Sequence, residues 1–347
     1  MSVPIRSGPR LAAGSLAVAI ALAACAGATT PGASASGAPA PAGSTATAVR
    51  AAAATASAPA ASVSVAPFAA PLTLLWQANG PARAATETYW PAIDPVTGNV
   101  WVASSFDNQY WIFKPNGTFV ESWGAGGKGD GQLDLTTRDM NPDGAGAIAF
   151  APDGSFYVAD VGNYRVEKFA KNRMFVRAWG TFGTDHGQFT NPKGIATDGT
   201  TVYVADDGNG MQAFDADGRF LRAFDFPFVL FSRAPTGNLV VADNGYLDQF
   251  DANGNRVSHI AIDAGKAAGD TSQVVVDGRG DAYIALVLDR GPVGLVELDK
   301  NGNRVGLWST GAETLSLAQD SSAIYAAYTG PSVSGWPYLR KYALPKP

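Results

Sequence analysis

From about residue 71 onwards, the chain consists of short segments in which apolar and polar residues alternate, separated by turn residues. Alternation with a period of two is typical of β-strands that bury one face. Six of these segments contain a tetrad of the Tyr-Val-Ala-Asp type, at positions 101–104, 157–160, 203–206, 240–243, 283–286 and 325–328. The third residue of the tetrad recurs at intervals of 37 to 56 residues. A period of this length, built from short strands, predicts the blades of a β-propeller.

Two turns recur within most of these periods. One turn, such as Asp198-Gly199, precedes the tetrad, and another, such as Asn253-Gly254, follows it. Asn-Gly and Asp-Gly pairs tolerate the positive φ angles of tight hairpins. Each period therefore predicts four antiparallel strands.

A longer motif accompanies the first two tetrads. Trp123 and Trp179 each begin a connection of the form Trp-Gly-x-x-Gly-x-x-x-Gly-Gln, and the second copy continues through Asn191-Pro192 into the next tetrad. This pattern resembles the NHL repeat, strongly over 122–225 and weakly elsewhere, and the resemblance implies a six-bladed propeller. The WD40 repeat is disfavoured, because no pairing of Gly-His with Trp-Asp recurs.

The last period ends after its third strand, near residue 342, and has no outer strand of its own. The segment from about 72 to 80 is similar to the outer strands that end at Trp123, Trp179 and Trp308. We therefore predict an all-β fold over 71–347, a six-bladed β-propeller of four-stranded antiparallel blades. In this prediction the N-terminal strand pairs with the last blade and closes the ring, which removes an exposed sheet edge.

The N-terminal region has the pattern of an export signal, with Arg6 and Arg10 before an apolar stretch at 11–23. This stretch is shorter than the roughly 20 residues that cross a bilayer. Residues 22–25 resemble the bacterial lipobox, which implies lipidation of Cys25 and removal of residues 1–24. The alternative, that Cys25 is only a small residue at the end of the stretch, remains open. We expect an exported protein, lipid-anchored on the outer face of a bacterial membrane, at the cell surface or in the periplasm.

Residues 25–70 are nearly all small, and Arg50 is their only charged residue. Such a segment has too little large apolar surface to offset its ordering entropy, so we predict a disordered tether. Residues 1–70 contain three arginines and no acidic residue, which partly explains why only 16% of the chain is charged.

Composition excludes several classes of function. The net charge of −5, without any run of Lys or Arg, argues against a nucleic-acid partner. A single Cys excludes internal disulfides and Cys-based metal clusters, and two His leave little for His-based metal sites. We expect a monomer without a cofactor or a metal.

One face of a propeller carries the loops between the second and third strands and the connections between blades; we call it the loop face. Ligand sites usually lie on such variable loops. Aromatic and carboxylate side chains there suit a glycan, a peptide or a cation, although polar loops without a ligand have a similar composition. The residues that we predict as the ligand face are Phe106, Asp107, Tyr110, Asp185, His186, Asp207 and Trp336.

Aspartates recur directly after the Val-Ala pairs, at Asp160, Asp206 and Asp243, and Asn163 follows three residues after Asp160. Converging carboxylates can bind calcium. Asp and Asn side chains also commonly cap turns by accepting hydrogen bonds from backbone N–H groups. The regular position of these residues favours the structural interpretation.

Two functions remain open at this stage. The first is a cell-envelope module that binds a protein, peptide or glycan partner through the loop face, or acts as a scaffold for it. The second is a metal-dependent, specifically calcium-dependent, hydrolase or lyase, implied by the resemblance to lactonase-like six-bladed propellers. No catalytic motif of fixed spacing occurs, such as Gly-x-Ser-x-Gly, so the sequence favours the binding module and identifies no catalytic residue.

Overall fold

The computed structural model describes residues 70–79, 88–136, 146–224, 231–243, 245–262, 270–287, 294–309, 316–327 and 339–344. These residues contain the strands β1 to β25, numbered in chain order. The first two are β1 (Ala70–Pro71) and β2 (Leu74–Ala78). Two short 3-10 turns, Ser105–Asp107 and Val161–Asn163, follow β4 and β8.

The strands form six antiparallel blades of four strands each, which confirms the predicted all-β, six-bladed propeller. Blade 1 contains β3 Thr88–Ile93, β4 Val100–Ser104, β5 Gln109–Phe113 and β6 Phe119–Trp123. Blade 2 contains β7 Ile148–Phe150, β8 Phe156–Asp160, β9 Arg165–Phe169 and β10 Phe175–Trp179. Blade 3 contains β11 Pro192–Thr197, β12 Thr201–Asp206, β13 Gly210–Asp215 and β14 Phe220–Phe224.

The remaining three blades follow the same plan. Blade 4 contains β15 Phe231–Arg233, β16 Leu239–Asp243, β17 Tyr246–Phe250 and β18 Arg256–Ala261. Blade 5 contains β19 Asp270–Val276, β20 Ala282–Val287, β21 Gly294–Leu298 and β22 Arg304–Ser309. Blade 6 contains β23 Ser316–Gln319, β24 Ala323–Ala327 and β25 Leu339–Ala343, with β2 as its outer strand.

The ring closes as the sequence predicts. Strand β2 pairs with β25 in antiparallel fashion, with Trp76 opposite Lys341 and Gln77 opposite Arg340. A second contact was not predicted: β1 adds to blade 5 as a fifth strand, parallel to β22. The N-terminal part of the propeller therefore joins two neighbouring blades before blade 1 begins.

The core consists of six apolar clusters, one between each pair of neighbouring blades. The second strand of a blade is buried on both faces, which explains the repeated tetrad. In blade 2, Tyr157 packs towards blade 3, whereas Val158 packs towards blade 1. Alternation along a strand thus places successive residues of the tetrad in different clusters.

One recurrent turn glycine also has a packing role. Gly218 lies in the hairpin between β13 and β14 with a φ of +82°, and a Cβ atom there would lie 2.4 Å from Cδ2 of Trp179. Trp179, at the end of one outer strand, therefore covers the turn of the next blade, where only a residue without a Cβ fits.

Each outer strand begins with a β-bulge next to the hairpin or chain segment that precedes it. The additional residue is apolar in all six blades and 40–53% exposed: Leu75, Val120, Val176, Leu221, Val257 and Val305. A bulge increases the local twist of an edge strand, which hinders pairing with a second chain. In the described part of the chain, no helix has the length and apolar character needed to cross a membrane.

Candidate functional site

The first strands of the six blades surround a central channel with a cavity of about 480 Å³. The cavity extends to the ends of these strands, where Pro95, Pro152 and Asp198 lie in the hairpins that lead to the second strands. We call this end of the propeller the hairpin face. The apolar part of the cavity wall includes Trp90, Ile93, Ile148, Phe150, Ile195, Phe231, Val275 and Leu317.

Few polar side chains line this cavity, and an ion pair between blades 3 and 4 is the most prominent. Arg233 Nη2 lies 3.1 Å from Asp198 Oδ2. Asp198 Oδ1 also accepts hydrogen bonds from the backbone N–H groups of Thr200 and Thr201 and from the Thr200 hydroxyl. Burial alone would raise the pKa of Asp198, but these hydrogen bonds and Arg233 together hold it below its usual value. Asp198 is therefore ionised at neutral pH.

Two polar atoms of the lining residues are buried and have no hydrogen-bond partner among the described residues: Ser232 Oγ and Arg233 Nε. Two other polar groups of the channel are paired. The Trp90 N–H donates to Ser316 Oγ at 3.0 Å, and the Leu317 N–H donates to Gln273 Oε1. Unsatisfied buried polar atoms are rare in folded proteins, so these two atoms set this part of the channel apart.

None of the described residues that we predicted as the ligand face lines this cavity. Phe106 is 48% exposed, and Asp107 accepts a hydrogen bond from the Ser104 hydroxyl at 2.9 Å. Tyr110 does not lie on the surface, because its side chain is fully buried and its hydroxyl donates to the Gly146 carbonyl oxygen. Burial raises the pKa of Tyr110 well above its usual range. The prediction of Tyr110 as a ligand-face residue was wrong: alternation along β5 turns it into the core.

The three predicted residues of blade 3 and its preceding connection make local contacts. The His186 ring stacks on Phe220 with 4.4 Å between ring centroids. The Asp185 carbonyl oxygen accepts a hydrogen bond from Asn209, and Asp207 forms a 2.8 Å ion pair with Lys193. In the described residues, no hydrogen bond or ion pair joins this group to Phe106 or Asp107. Trp336 and Cys25 lie outside the described residues.

The repeated polar residues mostly hold the connection that enters their own blade. Asp160 Oδ1 accepts a hydrogen bond from the Asp134 N–H, and Asn163 Nδ2 donates to the Gly127 carbonyl oxygen. Asp206 accepts hydrogen bonds from the N–H groups of Thr190 and Asn191 and, within the following turn, Gly208. The Asp243 side chain lies outside the described residues.

Blade 2 contains a buried charge group that sequence reasoning missed; we call Asp160, Arg165 and Glu167 the Arg165 cluster. Arg165 lies 2.7 Å from a carboxylate oxygen of each acid and donates to the carbonyl oxygens of Lys128, Gly129 and Gln132. Burial raises the pKa of Glu167 to about 7, and Glu167 Oε2 has no hydrogen-bond partner in the part of the chain that the structure describes. This cluster fixes the connection between blades 1 and 2.

A second polar group lies on the outer strands of blade 4. His259 Nδ1 is 2.6 Å from Asp248 Oδ1, and the Tyr246 ring stacks on the imidazole with 4.3 Å between centroids. Asp248 and His259 are directly opposite each other on β17 and β18, so the pair is a cross-strand contact that stabilises the edge of the sheet.

A metal site needs several converging side chains of His, Cys, Asp or Glu. Across the described ranges, no three side chains among His, Cys, Asp and Glu are grouped so that they could hold a metal ion. The carboxylates of Asp139, Asp143, Asp263 and Asp289 lie outside the described residues.

No protein-family model matches the chain, and no curated protein sequence matches it. Solved structures do match. A gluconolactonase from Xanthomonas campestris superposes with a TM-score of 0.53 at 12% identity, over 78% of this chain and 89% of that chain. Virginiamycin B lyase from Staphylococcus aureus, in an inactive variant with quinupristin, gives a TM-score of 0.51 at 14% identity, over 76% of this chain and 83% of that chain. At these identities, the likeness concerns the six-bladed propeller fold.

Proposed function

We propose that this propeller takes a small organic molecule with a largely apolar body into its central channel. The cavity of about 480 Å³ carries the proposal, because ligand pockets typically measure about 300–1,000 Å³ and combine apolar walls with a few polar groups. The channel meets both conditions with Arg233, Asp198 and Ser232 among apolar side chains.

The second candidate is chemical turnover of that molecule, as a hydrolase or lyase. The structures that match are named as a gluconolactonase and a lyase, which favours this candidate over a module that only binds. Calcium remains a proposed cofactor under this candidate alone, and it would supply Lewis-acid polarisation of a carbonyl or activation of water.

The other sequence-based interpretations also remain proposals. The Trp-Gly repeats over 122–225 support membership of the NHL family, and the lipobox resemblance at Cys25 supports a lipid-anchored envelope protein. A protein, peptide or glycan partner on the loop face is supported by the exposed Phe106 and Phe182.

Filling the channel tests the proposal. Ala196 lines the cavity, so Ala196→Phe should reduce binding of a neutral apolar dye, N-phenyl-1-naphthylamine, at least about tenfold in fluorescence titrations. The matched control is Ala223→Phe, on the exposed outer strand of the same blade. Equal binding by all three folded proteins would contradict a site in the channel.

The same proteins distinguish turnover from binding. A panel of lactones is incubated with each protein, and acid release is followed at constant pH with and without a chelator. A hydrolase would show turnover in the wild type and in Ala223→Phe but not in Ala196→Phe, and a calcium enzyme would lose it in the chelator. Dye binding without turnover across the panel would favour a binding protein.

A further inference from the structure

We propose that Trp90 forms the inner end of the channel cavity and sets the longest ligand that the channel accepts from the hairpin face. This inference rests on the proposed function, because it names the residue that limits the size of the ligand. It goes beyond that function in assigning specificity to one side chain. The ligand class is a compact apolar molecule with a polar group at its outer end.

The cavity occupies the half of the channel nearer the hairpin face. On each inner strand, one residue marks the point of the cavity furthest from that face: Trp90, Ile148, Ile195, Phe231, Gln273 and Leu317. Ala147, Gly194 and Ser316, each one position closer to the loop face, do not line the cavity. Trp90 has the largest side chain at this inner level, and the residue is only 7% exposed.

The backbone of Trp90 has an unusual conformation for a strand residue. Its φ is +55°, and among the four described non-glycine residues with positive φ, it alone lies within a strand. It belongs to a β-bulge between Tyr89 and Ala92 and precedes Pro91, although residues before proline usually take extended conformations. Bulges can re-aim a side chain, and strained residues of this kind cluster at ligand sites.

The Trp90 side chain packs beyond its own blade. Among the described residues, it is the only one of blade 1 in the apolar cluster between blades 2 and 3, which also contains Ala149 and Ile195. On the opposite side, its backbone N–H donates a hydrogen bond to Ser316 Oγ of blade 6 at 3.0 Å. Contacts with three other blades therefore hold the indole at the inner end of the cavity.

The two ends of the cavity differ in polarity, which orients the ligand. Trp90, Ile195 and Phe231 make the inner end largely apolar, whereas the ion pair of Asp198 and Arg233 lies towards the hairpin face. A ligand therefore enters with its apolar end first and keeps its polar group near water at the mouth. A molecule too long for the cavity leaves apolar surface in water, because the packed indole does not give way.

A homologous series of neutral ligands measures this limit on the full-length protein. Dissociation constants of ω-phenylalkanols, from 2-phenylethanol to longer chains, are obtained by displacement of N-phenyl-1-naphthylamine. Each methylene that enters the cavity should tighten binding about fourfold, because burying one CH₂ contributes about 0.8 kcal/mol. In the wild type, this tightening should stop at the chain length that reaches Trp90. In Trp90→Leu it should continue for about two further carbons, because the smaller side chain leaves space.

The matched control is Trp101→Leu. Trp101 is an indole of the neighbouring strand β4, only 2% exposed, and it does not line the cavity. This variant should keep the wild-type limit even if its melting temperature falls. Thermal melting checks that each variant is folded.

A second readout uses the conservative variant Trp90→Phe, in case Trp90→Leu does not fold. Trp90 is the only tryptophan among the described residues that lines the cavity. A phenylalkanol with bromine on its ring should therefore quench part of the tryptophan fluorescence of the wild type and little of that of Trp90→Phe. Equal quenching in both proteins would place the bound ring away from Trp90 and contradict the inference.

The outcomes separate this inference from the proposed function. If the alcohols bind but the limit is the same in Trp90→Leu and the wild type, the channel binds small molecules and Trp90 does not set their length. An equal shift in Trp101→Leu would also contradict the inference, because general loosening would then explain both results. So would affinity in the wild type that rises steadily along the whole series. If neither the alcohols nor the dye bind, the proposed function and the inference fail together.

Discussion

At the scale of single residues, the Arg165 cluster places two carboxyl groups and one guanidinium in a buried region. Asp160 accepts hydrogen bonds from Asp134, Asn163 and Arg165, whereas Glu167 accepts them from Gly131 and contacts Arg165 through the same oxygen. Ionising both acids leaves an excess negative charge away from water. Burial therefore raises the pKa of Glu167 from its usual value of 4.5 to about 7.

Glu167→Gln should make folding stability less dependent on pH. The folded state binds a proton at Glu167 more tightly than the unfolded state does. The resulting contribution to the free energy of unfolding is fully present below pH 4.5 and is lost as pH rises through about 7. The variant should therefore match the wild type near pH 4 and be more stable by about 3 kcal/mol at pH 8, because one unit of pKa shift corresponds to about 1.4 kcal/mol. Urea unfolding at the two pH values measures this difference.

Blade 3 shows that Gln fits at this position of a blade. Gln212 accepts a hydrogen bond from the Gly187 N–H in the same way as Glu167 accepts one from the Gly131 N–H. The control is Glu121→Gln, which removes a surface acid paired with Arg173 and should change stability little. Identical pH dependence in Glu167→Gln and the wild type would mean that Glu167 is ionised throughout.

At the scale of elements, β2 holds the two ends of the ring together. Ala78 is buried with Val100 and Leu339 between blades 6 and 1. The Trp76 indole N–H donates to the Pro115 carbonyl oxygen in blade 1, and its ring packs on Tyr325 in blade 6. Removal of β2 would expose the edge of β25 and open this cluster to water.

Deletion of residues 71–79 should therefore abolish cooperative thermal unfolding. A point substitution tests the same contact more gently: Trp76→Ala should destabilise the propeller by about 2 kcal/mol, through the lost packing and hydrogen bond. Leu75→Ala, at a residue 51% exposed in the same strand, is the matched control and should cost less than about 0.5 kcal/mol. Normal cooperative melting of the deletion would contradict closure by β2.

The elements were predictable because their signals are local. Turn pairs such as Asp217-Gly218 and tetrads such as the one at 157–160 are contiguous in the sequence, and they recur often enough to define the blades. Strand β1 was missed because Ala70–Pro71 has no strand pattern and pairs with β22, far along the chain.

The candidate site was less predictable because its residues come from different blades. Asp198 and Arg233 are 35 positions apart in the chain. In the sequence, Asp198 has the pattern of an ordinary hairpin residue and Arg233 that of an ordinary strand residue. The same is true of the Arg165 cluster, whose partners include the backbone of the preceding connection. Hydrogen-bonding capacity left unused inside a cavity has no sequence pattern.

At the scale of the whole molecule, the described chain enters the ring at its outer edge, whereas the candidate site lies at its centre. Strand β1 lies at the outer edge of blade 5, and β2 is the outer strand of blade 6. The channel is surrounded by the inner strands and reaches the hairpin face. A tether that precedes β1 would therefore join the propeller at its circumference, away from the mouth of the channel.

The lipid anchor that we propose for Cys25 gives the last prediction. Anchoring by several acyl chains is stable, since each buried CH₂ contributes about 0.8 kcal/mol. In a bacterial host, the wild-type chain should incorporate an alkyne-tagged fatty acid and remain with membranes after a high-salt wash. Cys25→Ala should abolish the label and accumulate the uncleaved precursor, because the lipobox cysteine is both the acylated residue and the cleavage point. Ser44→Ala, in the predicted tether, should behave as the wild type. Absence of label from the wild-type chain would mean that residues 22–25 are only the end of an apolar stretch.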